Sequence, residues 1–384
     1  MWVGRGRKAR RCYGFDEIAL VPGVAAIDPE DVDISLQIRD IKLEIPIIAA
    51  AMDGVVDVRF AQEMGKLGGL AVLNLEGIQT RYENPEEIIT KIITASPEEA
   101  TNIIQKVYEE PVKENLITKR IEQIKEAGVL AVVSAIPAKA ERYGQLAQEA
   151  GADIFVVQAT VITNRYHSTK HKLLDLKKFT SSVSIPVIAG NCVTYEAALE
   201  LMEAGIEGLL VGIGPGTACT TRGVLGVGVP QVTATADCAA ARDFYYKQTT
   251  RYVAIITDGG MSVGGDIAKA FAAGADAVMV GSAFAKAKEA PGRGYHWGMA
   301  TSHRNLPRGT RIYVDTTGTL EEILYGPAHF DDGSQNLIGA LRGAMGMCGA
   351  RNIRQMQLVE LIIAPAIKTE GKIFQKTQRI GMCK

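Results

Sequence analysis

The segment "AERYGQLAQEAGADIFVVQAT", residues 140–160, decides the fold. Its first part carries apolar residues at helical spacing and ends in Ala-Gly, and a short run rich in β-branched residues follows. Glycine directly after a helix is a common C-terminal cap, because it adopts the left-handed backbone conformation without strain. A continuous apolar strand is typical of a parallel sheet, which is covered on both faces. The segment therefore predicts one helix-strand unit of an α/β fold.

The same pattern recurs on both sides of this segment. A helix and a strand together are predicted in "IEQIKEAGVLAVVSAIP" (121–137), "TYEAALELMEAGIEGLLVGIG" (194–214) and "GDIAKAFAAGADAVMVGSAF" (265–284). Further strands are predicted in "IPIIAAAMDGV" (45–55), "GGLAVLN" (68–74), "SIPVIAGN" (184–191) and "RYVAIITDGG" (251–260). About eight strands that alternate with helices predict a (β/α)8 TIM barrel, and an open doubly wound sheet is the alternative.

We expect residues 1–384 to form a single barrel domain with two interruptions. Residues 77–120 are charged and amphipathic with a helical period, which predicts a short, solvent-facing helical insertion. Residues 295–335 are irregular and rich in Gly, Arg, Thr and Pro. Because a long irregular excursion from a compact barrel often has a functional role, this stretch is predicted to be an active-site flap.

The composition is that of a soluble globular protein, with 47% hydrophobic residues, 22% charged residues and a formal net charge of -1. This charge balance gives no reason to expect binding to nucleic acid or to a membrane. No apolar run reaches the roughly 18 residues that a membrane helix needs. The 6 cysteines form no C-x-x-C pair, which indicates mostly free thiols and a reducing, cytoplasmic location.

Small and polar residues stand where the predicted strands end, and a TIM barrel gathers its chemistry at those ends. The last two strands end in "TDGG" (257–260) and "VGS" (280–282). Glycines there let backbone N–H groups approach a phosphate closely, and Ser282 and Thr217 offer hydroxyl donors. Asp258 could accept hydrogen bonds from ribose hydroxyls. These strand ends indicate a nucleotide site, and the alternative for each of them is an ordinary glycine turn.

Cys219 lies in the glycine-rich loop "GIGPGTACTTRG", residues 212–223. This loop is too polar to bury the thiol as a small apolar side chain, and a loop of N–H groups favours the thiolate. Covalent attack on an electrophilic carbon is therefore the hypothesis for Cys219. The dinucleotide fingerprint G-x-G-x-x-G is not matched, since Thr217 stands at its third glycine. No second Cys or His stands at metal-ligand spacing.

The stretch "GIGPGTACTTR" closely resembles the catalytic loop of the IMP dehydrogenase and GMP reductase family. The resemblance continues in order along nearly the whole chain, in "YGFDEIALVPG" (13–23), "AAAMDGV" (49–55), "PVIAGNCVT" (186–194), "GVGVPQVTA" (226–234), "ITDGGMSVGGDIAKAFAAGADAVMVGS" (256–282) and "GMATS" (298–302). It implies a (β/α)8 barrel that assembles as a homotetramer or a larger homo-oligomer and binds a purine mononucleotide, GMP or IMP.

The resemblance also implies roles for individual residues. Cys219 would attack C2 of the purine, and Thr221 would take part in proton transfer. The substrate would be bound by a larger set of residues: Gly216, Thr217, Gly260, Gly281 and Ser282 at the phosphate, Asp258 at the ribose, and Met52, Asn191, Gly298 and Met299 at the base. A nicotinamide cofactor would contact Gln158, Ala159 and Thr160. The backbone carbonyls of Gly214, Gly216 and Cys219 match the monovalent-cation site of the family, so potassium is expected there.

The sequence favours GMP reductase, which converts GMP to IMP and ammonia with NADPH. The dehydrogenase needs an adjacent Arg-Tyr pair as its base, and residues 298–327 contain no such dipeptide, because Ile312 separates Arg311 from Tyr313. Residues 77–120 are too few to hold the regulatory CBS-type domains that dehydrogenases usually carry. Trp297 stands where the reductase has an aromatic residue. The alternatives are an IMP dehydrogenase that oxidises IMP to XMP with NAD, and a catalytically inactive purine-nucleotide sensor.

The chain departs from the family pattern at two positions. Arg308 precedes Gly309 where both activities usually have a Glu-Gly pair, so the acid that protonates the departing ammonia is unassigned and Thr221 is the remaining candidate. Gln158 stands where the family has an aspartate near the nicotinamide. Losing that carboxylate, with Arg304, Arg308 and Arg311 nearby, would favour the more anionic NADPH, and the alternative for these arginines is a solvated loop.

Overall fold

The computed structural model describes residues 1–168, 173–298, 311–367 and 369–379. Within them, parallel strands close into a barrel, with β8 paired to β1 through Val278 and Ile47. The barrel strands are β1 (Ile47–Ala49), β2 (Leu70–Asn74), β3 (Val132–Ala135), β4 (Ile154–Gln158), β5 (Val187–Cys192), β6 (Gly208–Val211), β7 (Ala254–Asp258) and β8 (Ala277–Val280). This confirms the predicted (β/α)8 barrel and excludes the open sheet.

Helices connect the strands on the outside of the barrel. The connecting helices are Val58–Lys66, Glu114–Glu126, Pro137–Glu149, Leu176–Ser182, Tyr195–Glu203, Gln231–Thr249 and Gly264–Ala272. The chain after β8 adds the helices Ser282–Ala285, Leu320–Leu324, Leu337–Met347, Ile353–Met356 and Ile373–Gln378. Shorter helical turns lie at Phe15–Glu17, Pro29–Asp31 and Ile78–Thr80, and strands outside the barrel pair as Trp2–Gly4 with Arg7–Lys8, Ile18–Leu20 with Leu361–Ile363, and Tyr295–His296 with Ile312–Tyr313.

The Ala-Gly signals end helices as predicted. The glycine after each of four helices has a positive φ, from +73° at Gly128 to +112° at Gly274, with Gly151 and Gly205 in between. A side chain would strain the backbone at these positions, whereas glycine does not. Each helix therefore stops within a few residues of the strand that follows it.

Alternate side chains of the barrel strands fill two layers of core. Ile48, Val156 and Ile256 belong to the cluster inside the barrel, whereas Ile47, Phe155 and Ile255 belong to the layer between strands and helices. This two-sided burial is why the strands are continuous apolar runs in the sequence. A hairpin of strands Leu36–Ile38 and Ile41–Leu43 joins the inner cluster and covers the N-terminal end of the barrel. The candidate site lies at the opposite side of the barrel, at the C-terminal ends of the strands.

Two helices, Pro85–Thr94 and Pro97–Val107, leave the barrel between β2 and β3; we call them the insertion helices. They form a small apolar cluster of their own with Trp297, whose side chain is fully buried. The sequence pattern predicted helices in this region but gave no sign of their contact with Trp297.

Among the residues that the structure describes, none of the helices has the length and apolar character needed to span a membrane.

Candidate active site

A cavity of about 280 Å³ lies at the C-terminal ends of the barrel strands. Its wall contains all the described residues that were predicted to act in catalysis or to contact the substrate, the nicotinamide or a monovalent cation: Met52, Gln158, Ala159, Thr160, Asn191, Gly214, Gly216, Thr217, Cys219, Thr221, Asp258, Gly260, Gly281, Ser282 and Gly298. Met299, Arg304 and Arg308 lie outside the described residues. The strand-end residues are thus brought together from distant parts of the chain into one place.

Cys219 lies in the loop that follows β6, and its side chain is exposed at the cavity. A turn sets its backbone, since the Cys219 N–H donates to the carbonyl of Gly216 at 3.0 Å. The thiol donates to the Oγ1 atom of Thr221 at 3.3 Å, and Thr221 is only 5% exposed. Thr221 begins the short helix Thr221–Leu225, so the hydroxyl beside the sulfur is held by regular backbone.

Arg222 ties the two ends of this loop together. Its Nε donates to the carbonyl of Ile213 at 3.1 Å, and its Nη2 donates to the carbonyl of Val229 at 2.6 Å. The aliphatic part of Arg222 packs so closely against Gly214 and Gly228 that a Cβ atom on either glycine would overlap it. Partial burial lowers the pKa of the Arg222 guanidinium, and attraction to Cys219 opposes that change.

Asp258, at the end of β7, forms a hydrogen-bonded group with two amide side chains from the ends of β4 and β5. Its Oδ2 accepts from Asn191 Nδ2 at 2.8 Å and from Gln158 Nε2 at 3.2 Å. Enclosure by the barrel raises the pKa of the carboxyl to about 6, although both amide donors favour the charged form. Because both donors bind Oδ2, the arrangement leaves Oδ1 as an acceptor for a ligand.

The phosphate residues predicted at the ends of β7 and β8 lie beside a histidine that the sequence analysis missed. Gly259 and Gly260 both have φ of +81°, a conformation that side chains rarely adopt. Ser282 Oγ lies 2.8 Å from Nε2 of His296, which is almost fully buried and also lines the cavity. Burial lowers the pKa of His296, so the imidazole is neutral near pH 7. His296 positions the Ser282 hydroxyl.

The cavity wall also includes residues at the ends of β2 and β3 that the sequence analysis did not single out: Asn74, Glu76, Ser134, Ala135 and Ile136. Glu76 joins the two strand ends, since its Oε2 accepts from the N–H of Ile136 at 2.8 Å. The signal was available at β2, which ends in Asn74 and is followed two residues later by Glu76, and at β3 it was limited to Ser134 within the strand. The cavity therefore extends beyond the predicted nucleotide residues toward β2 and β3.

Two further predictions concern charged ligands. Arg311, expected near an anionic cofactor, instead donates to backbone carbonyls at the end of the first insertion helix and is not part of the cavity wall. No cluster of three or more His, Cys, Asp or Glu side chains suited to a metal ion occurs among the described residues. The carbonyls of Gly214, Gly216 and Cys219 are neutral oxygens, and this donor type suits an alkali cation. The carbonyl of Gly216 accepts one hydrogen bond and keeps a second lone pair.

Comparison with known proteins gives consistent matches. Residues 12–372 match the family model described as "IMP dehydrogenase / GMP reductase domain". A Mycolicibacterium smegmatis protein named "Uncharacterized oxidoreductase" is 38% identical over 370 residues, covering 94% of this chain and 99% of that protein. An inosine-5'-monophosphate dehydrogenase of Methanocaldococcus jannaschii is 30% identical, with 97% of this chain and 96% of that protein covered. The crystal structure of an IMP dehydrogenase/GMP reductase-like protein from Corynebacterium glutamicum superimposes with a TM-score of 0.89 at 37% identity, covering 94% and 97% of the two chains.

Proposed function

Because this chain belongs to the IMP dehydrogenase / GMP reductase family of oxidoreductases, we propose that it is an NADPH-dependent GMP reductase. The observation that carries the proposal is the exposed thiol of Cys219, which lies beside the buried hydroxyl of Thr221. Both residues line a cavity at the strand ends that were predicted to bind a nucleotide. A protein that only bound nucleotides would need neither a nucleophile nor a hydroxyl held against it.

Three parts of the cavity would bind the parts of GMP. The phosphate would lie against the backbone of Gly260 and Gly281 and the hydroxyl of Ser282, with Gly216 and Thr217 opposite. The ribose hydroxyls would donate to Asp258 Oδ1. The base would lie between Asn191, Gly298 and the turn after β1 that contains Met52, which we call the Met52 turn. Its C2 atom would lie above Cys219. All of these residues line the one cavity, which supports a single bound nucleotide.

The chemistry of the proposed reaction balances at C2 of the purine. The Cys219 thiolate forms a bond to C2, and the electron pair displaced from the C2–N3 double bond takes up a proton at N3. The 2-amino group then leaves as ammonia with the C–N electron pair and with the N3 proton, which Thr221 relays to it, and loss of that proton restores the C2–N3 double bond. When bound, NADPH supplies the hydride that takes the place of the amino group at C2. The C–S bond then breaks, Cys219 leaves as a thiolate, and IMP remains.

The nicotinamide would contact Gln158, Ala159 and Thr160 at the end of β4. This wall fits a second ligand, because the cavity continues from Cys219 past these residues to Asn74 and Glu76. Gln158 adds no negative charge beside Asp258 and instead donates to it, which is compatible with the more anionic NADPH. A potassium ion bound by the carbonyls of Gly214, Gly216 and Cys219 would hold the cysteine loop in shape.

IMP dehydrogenase activity is the second candidate, and the Methanocaldococcus jannaschii relative of that name favours it. Against it, residues 298–327 contain no Arg-Tyr dipeptide. A positioned general base contributes roughly 10²–10⁴-fold to a rate, so an adduct formed without one would be hydrolysed slowly.

One assay separates these functions. The purified protein is given GMP with NADPH in one reaction and IMP with NAD in another, and nicotinamide absorbance is followed in both. Oxidation of NADPH in the first reaction alone supports the reductase. Reduction of NAD in the second reaction would replace the proposal with the dehydrogenase. No turnover in either, together with tight nucleotide binding, would indicate a sensor.

A further inference from the structure

Tyr108 connects two segments of the chain that each contribute a residue to the cavity wall. This residue directly follows the second insertion helix, and its hydroxyl lies 2.5 Å from Oδ2 of Asp53. The same hydroxyl accepts from the indole N–H of Trp297 at 2.8 Å. Asp53 and Trp297 are themselves almost completely buried, with exposures of 1% and 0%. A single side chain from the insertion helices therefore holds two buried groups from distant parts of the chain.

The two groups that Tyr108 holds are direct neighbours of residues that would contact the purine base. Asp53 follows Met52, Trp297 precedes Gly298, and both Met52 and Gly298 line the cavity. The two segments also touch each other, because a Cβ atom on Gly54 would lie 2.6 Å from the carbonyl oxygen of Tyr295. The two segments that Tyr108 contacts are therefore packed directly against each other at Gly54 and Tyr295.

The insertion helices also hold the chain on the far side of Trp297. Arg311 Nη1 donates to the carbonyls of Ile92 at 2.6 Å and Ala95 at 3.0 Å, at the end of the first insertion helix. Its guanidinium lies 4.6 Å from the ring centre of Tyr295, in cation–π contact. Strands Tyr295–His296 and Ile312–Tyr313 pair with each other. The described residues on both sides of 299–310 are thus fastened to the same two helices.

We propose that Tyr108 is a positioning residue for the base-binding side of the active site. Its hydroxyl fixes the Met52 turn relative to Gly298, and the insertion helices thereby set the shape of the cavity instead of serving as a solvent-facing excursion. This assignment rests on the proposed function in so far as it takes the bound base to be a purine. The contacts that carry it do not depend on which purine nucleotide reacts.

The test compares Tyr108→Phe with Tyr82→Phe. Tyr82 belongs to the same cluster, and its hydroxyl donates to the carbonyl of Val107 at 2.9 Å, so its loss removes one hydrogen bond in the same region. Hydrogen–deuterium exchange of the ligand-free full chain is measured for peptides that cover 52–54 and 295–298. We expect faster exchange in both peptides for Tyr108→Phe and no change there for Tyr82→Phe. GMP affinity, measured by calorimetry, should fall roughly fivefold in Tyr108→Phe alone.

Equal exchange in the two variants, or faster exchange confined to residues 85–107, would overturn the positioning role. If Tyr108→Phe does not fold, Trp297→Phe removes the other hydrogen bond of the same hydroxyl and is measured in its place. If neither GMP nor IMP binds the wild-type protein, the proposed function fails, and the exchange experiment still decides the role of Tyr108.

Discussion

The Sγ atom of Cys219 lies 3.3 Å from the Oγ1 atom of Thr221, with the sulfur exposed to the cavity and the hydroxyl buried beneath it. This relationship separates two tasks. The exposed atom can form a bond to a ligand, and the buried atom can move a proton to or from the site of that bond without competing for space in the cavity. Both tasks are open to direct measurement.

Replacing Cys219 by serine should abolish turnover and leave nucleotide binding intact. The serine hydroxyl is a much weaker nucleophile than a thiolate, so we expect kcat to fall by roughly 10⁴-fold or more. GMP binding, followed by calorimetry, should change little, because the proposed phosphate and ribose contacts do not involve the Cys219 side chain. Measurable turnover in the serine variant would show that the reaction does not pass through a bond to sulfur.

Replacing Thr221 by alanine should slow the reaction without removing the reactivity of the thiol. Loss of a positioned proton-transfer group costs roughly 10²–10⁴-fold, so kcat should fall within that range. Alkylation of Cys219 by iodoacetamide should proceed at close to the wild-type rate. Thr220→Ala is the matched control, because the neighbouring Thr220 makes no side-chain capping hydrogen bond. A similar loss of kcat in both variants would assign the effect to the loop backbone.

Binding of guanosine should weaken as the pH falls through about 6, the pKa of Asp258. In the proposed site the ionised carboxylate would accept hydrogen bonds from ribose hydroxyls, and protonation would make it a weaker acceptor, so affinity should be constant at higher pH and decline below the pKa. Guanosine is used because the phosphate of GMP itself titrates near pH 6. Calorimetry across this range should show the decline in the wild type and a flat profile in Asp258→Asn. A pH-independent wild-type affinity would contradict the ribose assignment.

Arg222→Met should impair catalysis more than Arg222→Lys. Methionine removes both hydrogen bonds that tie Ile213 to Val229, and a misplacement of about 1 Å at a reacting group can cost roughly 10²-fold in rate. Lysine keeps the charge but cannot bind two carbonyls in a fixed fork, so we expect an intermediate kcat. Arg142→Met, at an exposed ion pair with Glu114, is the control. Equal activities for Arg222→Met and the control would show that the loop holds its shape without Arg222.

Asp276→Ala should destabilise the fold and leave the nucleotide affinity of the folded protein unchanged. Asp276 is 3% exposed, and its Oδ2 accepts from Arg242 at 2.9 Å and from the N–H of Ile255 at 2.8 Å, near the start of β7 and far from the cavity. Breaking a buried ion pair costs about 3–5 kcal/mol of unfolding free energy, since the remaining charge stays buried. Urea unfolding measures this loss, with Lys119→Ala as the control, because Lys119 forms an exposed ion pair with Glu83. Equal midpoints for the two variants would exclude a structural role for the pair.

The barrel could be predicted because its signals are local. Each strand is a short apolar run, and a helix that ends in glycine precedes several of them, as at Gly151 before β4. The cavity residues at strand ends follow from the same logic, since the barrel brings those ends together whatever their separation in the chain. Asp258 and Ser282 were found in this way, and Asn74 and Ser134 were open to the same argument.

The remaining contacts have no local signal. Tyr108 lies 55 residues from Asp53 and 189 from Trp297, and nothing in the charged stretch around it shows that its hydroxyl is buried against either. His296 likewise acquires its role only through its contact with Ser282. From the sequence, Arg311 was interpreted as a cation in a loop. Only the structure shows that it binds backbone carbonyls at the end of the first insertion helix. These side chains depend on tertiary packing, which a pattern of neighbours along the chain does not encode.

The hairpin of Leu36–Ile38 and Ile41–Leu43 plugs one end of the barrel with apolar side chains, so within the described part of the chain the reaction chamber opens toward the opposite end. In the proposed reaction, ammonia would therefore leave, and the hydride donor would enter, through the same open end of the barrel.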